Sequence, residues 1–196
     1  MKKGFIKNYF DEIVNTTKKL NFNSINNAIK ILKKVRGSKG RVFFAGVGGS
    51  AGNCSHAVND FRKLCSIESY SISENVSELT ARINDDGWDV SYVDFLKDSN
   101  FTSKDLLIIF SVGGGNLKKK VSVNLINCMK YAKNKNSKII SIVGKKDGFA
   151  YRNSDVVIFT MVSNNRLVTP VSESFQSIIW HCLVSHPDLQ LKKTKW

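Results

Sequence analysis

Apolar positions recur along this chain with two different spacings, and the alternation between them predicts the fold. Phe5, Tyr9, Phe10, Ile13 and Val14 repeat at helical spacing, and the pattern lapses over residues 21–23. Ser24 then suits an N-cap for a second helix carrying Ile25, Ala28, Ile29, Ile31, Leu32 and Val35, which Gly37 and Gly40 end. Beyond residue 40 short apolar runs alternate with amphipathic stretches. The runs predict strands over 41–45, 68–72, 105–111, 138–143 and 155–160. The stretches between and after them predict helices over 50–64, 76–83, 87–97, 117–134 and 169–185. Strands that alternate with helices, and are themselves apolar throughout, predict an α/β fold with a five-stranded parallel sheet covered on both faces. Pro170 and Pro187, the only prolines, fall at the start of the last helix and just after it, where proline is tolerated. No repeat or low-complexity linker divides the chain, so 196 residues are expected to form a single domain, with 1–37 as a helical pair and 38–196 as the core.

Composition narrows the picture little. A 42% hydrophobic and 23% charged content is that of a soluble globular protein, and no apolar run has the length of a membrane span. The first eight residues lack the apolar stretch of a signal peptide, and the four cysteines form no CxxC pair, so reduced thiols in the cytoplasm are expected. The net charge of +14 raises the question of nucleic acid. Its densest pieces, over 30–39, 118–120 and 192–195, lack the interleaved aromatics that stack on bases. They read as solvated surface, with no specific nucleic-acid site and a general attraction for anionic substrates.

Chemistry concentrates in three places. The first is the turn Gly46-Val47-Gly48-Gly49-Ser50, between a strand and a helix, where amides at the helix N-terminus can cradle an anion. On the helix that follows, His56 and Asp60 stand four residues apart and share a face. The second is a matching turn after the third strand, Ser111-Val112-Gly113-Gly114-Gly115-Asn116. Two such turns at the carboxyl edge of a parallel sheet, offering the Ser50 and Ser111 hydroxyls and several amides, can surround one phosphate. Neither is a P-loop, because the Lys-Ser/Thr ending is absent. Gly46, Gly48 and Ala51, with Glu74 after the next strand, fit a loose dinucleotide fingerprint, but that reading leaves the second turn and the His56–Asp60 pair unused. The third place is the last helix, where Glu173 and His181 lie eight residues apart on roughly the same side. Together with His56 and Asp60 they make two carboxylates and two imidazoles, a set fit for a divalent metal such as zinc or for proton transfer.

These residues together resemble the SIS (sugar isomerase) domain family, close to its phosphoheptose isomerases. The resemblance spans nearly the whole chain: the paired N-terminal helices, Gly46 to Ser50, His56, Asp60, residues 83–89, the Ser111 turn and the Glu173–His181 helix. It implies a flavodoxin-like three-layer sandwich and an aldose–ketose isomerase that converts sedoheptulose 7-phosphate into D-glycero-D-manno-heptose 7-phosphate. It further implies Asp60 and His181 as the proton-transfer pair, both also within reach of a zinc ion, with His56 and Glu173 chiefly metal ligands. Asn84 and Asp85 would then hold sugar hydroxyls, and Gly48, Gly49, Ser50, Ser111, Gly113, Gly114, Gly115 and Asn116 would hold the rest of the substrate. A homotetramer packed through the N-terminal helices is also implied. Three departures from the family pattern stand out: Asp60 replaces a glutamate, Glu173 replaces a glutamine, and the second turn has lost most of its serines. They leave a second expectation open, a non-catalytic phosphosugar-binding or regulatory protein.

Overall fold

The computed structural model describes residues 4–194. Met1–Lys3 and Lys195–Trp196, which belong to the leader reading and to the last basic run above, lie outside the described residues. Two helices, α1 (Phe5–Lys19) and α2 (Phe22–Gly37), lead into β1 (Val42–Gly46) and α3 (Gly49–Cys65). Next come β2 (Ser69–Ser71), α4 (Val76–Asp85), α5 (Trp88–Asp98), β3 (Leu106–Ser111) and α6 (Val123–Asn134). The chain continues through β4 (Lys138–Val143), α7 (Phe149–Asn153), β5 (Val156–Phe159) and α8 (Val168–Ser185).

The five strands form one parallel sheet in the order β2-β1-β3-β4-β5. Strand periodicity divides its side chains between two cores. Val42, Phe44, Leu106, Ile108, Phe110, Ile140 and Ile142 face α2, α3 and α8, with Tyr9 and Ile13 of α1 packed on the same side. Phe43, Ala45, Leu107, Ile109, Ile139 and Val143 face α5, α6 and α7 on the other. The result is the three-layer, flavodoxin-like α/β sandwich expected from the alternation of elements.

Strand order decides where a ligand can sit. Connections from β1 and β3 leave the sheet in opposite directions, so a crevice opens between their carboxyl ends. Gly46 pairs in register with Phe110, which brings the turns after β1 and β3 side by side at that crevice.

Three features depart from expectation. The second helix begins at Phe22 and is capped by Asn21, whose side chain accepts from the Asn23 amide, so Ser24 lies inside the helix rather than at its cap. The helix expected from residue 117 begins at Val123. Asn116 and Val121 instead pair as an antiparallel bridge, Asn116 Oδ1 accepts from the Lys119 amide, and Lys120 and Ser122 adopt positive φ. A short polar turn therefore intervenes where helical propensity alone predicted continuity. The five-residue α7 was not anticipated, being too short for a periodic signal.

Candidate functional site

The turn after β1 is shaped by contacts that exclude side chains. Gly48 has φ +63°, and a Cβ on Gly46 would lie 2.7 Å from the backbone of Ser50. The Tyr92 hydroxyl of α5 donates to the Gly46 carbonyl at 2.7 Å, fastening the turn to the opposite layer. Burial pushes that phenol up to about 12, so it remains a donor at neutral pH. Ser50 is 2% exposed at the start of α3, and its Oγ accepts from Gln176 Nε2 of α8 at 3.0 Å.

The turn after β3 is closed by its own serine. Ser111 Oγ accepts from the Gly114 amide at 3.0 Å, and the Gly114 and Gly115 carbonyls accept from the first amides of α7. The Gly114 amide, expected to face phosphate, is thus engaged within the turn. Gly113 is exposed, and Asn116 folds the turn that follows.

His56 and Asp60 of α3 meet His181 of α8 at the mouth of the α3–α8 interface, with one potential ligand atom from each within 4.8 Å of the others. Asn59 Nδ2 donates to Asp60 Oδ1 at 2.8 Å, leaving Oδ2 turned toward His181 Nε2 at 3.8 Å. That separation is too long for a hydrogen bond. His181 Nδ1 lies 2.8 Å from the Ser177 carbonyl. A carbonyl only accepts, so Nδ1 carries the proton and the neutral ring presents its Nε2 lone pair to the cluster. The buried Trp180 ring lies with its centroid 3.5 Å from that of His181 and 4.7 Å from that of His56, and holds both imidazoles in place.

Glu173, expected beside these three, stands apart from them. Its carboxylate lies over Gly49, where a Cβ would come within 2.8 Å of Oε2. Eight residues along a helix amount to about 12 Å of rise, so sharing a side does not mean sharing a ligand. Asn84 and Asp85 are exposed at the end of α4 and hydrogen-bond to each other at 2.8 Å, and no hydrogen bond or ion pair joins them to the cluster among the described residues. Asn53, Gln176, Ser177 and Trp180 were not anticipated as site residues. Only the position of Trp180 next to His181 in sequence hinted at such a role.

Three donors of this kind suit a catalytic divalent metal: two imidazole nitrogens and a carboxylate, with one imidazole fixed through its other nitrogen to a carbonyl. The SIS domain family model matches residues 7–144. The chain belongs to the SIS domain family. The fold of this SIS protein is similar to that of the phosphoheptose isomerase GmhA from Neisseria gonorrhoeae, with a TM-score of 0.78 at 19% identity, covering 94% of this chain and 97% of that one. A phosphoheptose isomerase from Francisella tularensis gives the same TM-score at 18% identity, with 92% of each chain covered. The Vibrio vulnificus NanR protein, complexed with ManNAc-6P, matches with a TM-score of 0.61 at 10% identity over 91% of this chain and 58% of that one. At these identities the likeness establishes the fold. The lincomycin biosynthesis protein LmbN of Streptomyces lincolnensis is 29% identical over an alignment of 154 residues that covers 75% of this chain and 56% of that protein.

Proposed function

We propose that this SIS protein is a metal-assisted aldose–ketose isomerase that converts sedoheptulose 7-phosphate into D-glycero-D-manno-heptose 7-phosphate. The observation that carries the reading is the convergence of His56, Asp60 and His181 beside a glycine turn with a buried serine hydroxyl. The Gly48–Ser50 and Ser111–Gly115 turns hold the phosphate end of the open-chain sugar. The carbonyl end reaches the cluster.

Asp60 Oδ2 takes the proton from C1 of the ketose and returns it to C2. The Asp60 carboxylate is steadied for this by the Asn59 amide on its other oxygen. His181 Nε2 accepts the O1 proton and delivers it to O2, so the enediol collapses to the aldose. His56 and Asp60 would hold zinc, joined by His181 Nε2 only when that lone pair is not carrying the transferred proton, and the metal would supply Lewis-acid polarisation of the sugar oxygens. Glu173 accepts a sugar hydroxyl beside Gly49. We carry forward a cytoplasmic setting as part of the proposal.

The resemblance also implied a homotetramer, and we carry that forward as part of the proposal. Ile6, Phe10 and Val14 project from α1 at 72%, 62% and 52% exposure, forming an apolar stripe at four-residue spacing that a second copy would cover.

Hydrogen exchange tests the chemistry. In heavy water the reading predicts deuterium at C2 of the product and loss of the label pattern in Asp60→Asn. A protein that binds the sugar phosphate without any exchange would fit the regulatory alternative instead.

A further inference from the structure

Five polar groups connect α3 to α8, and their directions are fixed one from the next. The Glu173 carbonyl, which can only accept, receives Asn53 Nδ2 at 3.0 Å. The amide nitrogen of Asn53 therefore faces α8, and it also donates to Gln176 Oε1 at 2.9 Å. Asn53 Oδ1 is left to accept from the Ser177 hydroxyl at 2.9 Å. With its oxygen committed to Asn53, Gln176 must present its amide nitrogen to Ser50, and it does so at 3.0 Å. Ser50 Oγ is thereby an acceptor from the protein. Among the described residues its own proton has no acceptor, although Ser50 and Gln176 are only 2% and 1% exposed. A buried hydroxyl proton without a partner, at the first turn of α3 beside Gly48 and Gly49, is directed at a ligand oxygen. The same Asn53 grips α8 at Glu173 and Ser177, and the Ser177 carbonyl orients His181.

We propose that Asn53 is a positioning residue that acts through Gln176 to aim the Ser50 hydroxyl proton into the glycine turn, making Ser50 an obligate donor to the substrate's oxyanion. The proposal rests on the anion-binding reading of that turn. Its consequence concerns direction and not just packing. An aspartate at position 53 has no amide hydrogens, so Gln176 turns its nitrogen toward that carboxylate and its oxygen toward Ser50. Ser50 then donates inward, and the ligand loses its donor.

The test is a double-mutant cycle read by calorimetric titration of the intact protein with inorganic phosphate. Asn53→Asp and Ser50→Ala are each expected to weaken binding about five- to tenfold, and the double variant no more than either alone. Gln176→Glu provides a second route: it keeps the acceptor for Asn53, offers another to Ser50, and is expected to give the same loss. Losses that multiply in the double variant, or phosphate affinity indifferent to Ser50→Ala, overturn the proposal while leaving phosphate binding by the protein intact. A wild-type protein that binds no phosphate overturns both the proposal and the reading beneath it.

Discussion

His181 owes its chemical character to a single contact. Because Nδ1 is committed to the Ser177 carbonyl, the other nitrogen faces Asp60 with its lone pair available, for a proton or for a metal. His181→Ala removes that group without opening the core, since the ring is half exposed. It is expected to lower kcat by about 10²–10⁴ with thermal stability little changed, as steady-state assays and a melting curve would show. Asp60→Asn is expected to fall in the same range. Retained activity in both variants would remove these residues from the proton path. The pairing of His56 with Asp60 was legible from a four-residue spacing, because one helical turn guarantees proximity. Placing Glu173 with them was not safe, because eight residues guarantee only a shared side and the carboxylate is free to lie over Gly49 instead. The amides of Asn53 and Gln176 could not be anticipated at all, since their partners are 120 or more residues away in sequence.

Among the elements, the turns at the carboxyl edge depend on close backbone approach. A Cβ on Gly148 would sit 2.1 Å from the Gly113 carbonyl oxygen, with backbone on both sides and no flexible chain end to give way. Gly148→Ala is expected to cost about 2 kcal/mol in urea unfolding and to weaken phosphate binding by displacing the Ser111 turn. At the opposite edge, Asp105 ties the start of β3 to β1. Its carboxylate accepts from the Arg41 guanidinium at 2.8 and 3.1 Å and from the amides of Arg41 and Thr102. Burial alone would raise its pKa, but these bonds outweigh it and hold the carboxyl below its ordinary value. A depressed folded value stabilises the protein fully above the unfolded pKa near 4, and that stability is lost as pH falls through the folded value. Asp105→Ala should therefore cost about 3 kcal/mol at pH 7, with the gap to wild type narrowing in unfolding experiments at pH 3. The element sequence itself was largely readable, because buried parallel strands are apolar throughout and the helices between them are amphipathic. It failed at 117–122, where the Asn116–Val121 bridge and two positive-φ residues interrupt a stretch that composition alone would let be helical.

For the whole molecule, the strand order places both glycine turns at one crevice, and the α3–α8 contact places the His–Asp–His cluster beside the first of them. Fold and chemistry thus converge on a single edge of the sheet, within a surface whose net charge of +14 favours anionic substrates. The apolar stripe of Ile6, Phe10 and Val14 on α1 faces away from the core, and under the proposed homotetramer a second copy covers it. Phe10→Glu is expected to shift the protein to smaller species in light scattering, with the monomer's own fold retained. The claim on which everything else depends is that this cluster isomerises a heptose phosphate. The direct measurement is an NMR time course of the purified protein with sedoheptulose 7-phosphate and zinc, accompanied by elemental analysis for bound metal. The account predicts steady appearance of the aldose phosphate, with zinc retained by wild type and lost from His56→Ala. No aldose formation together with no bound metal would contradict it.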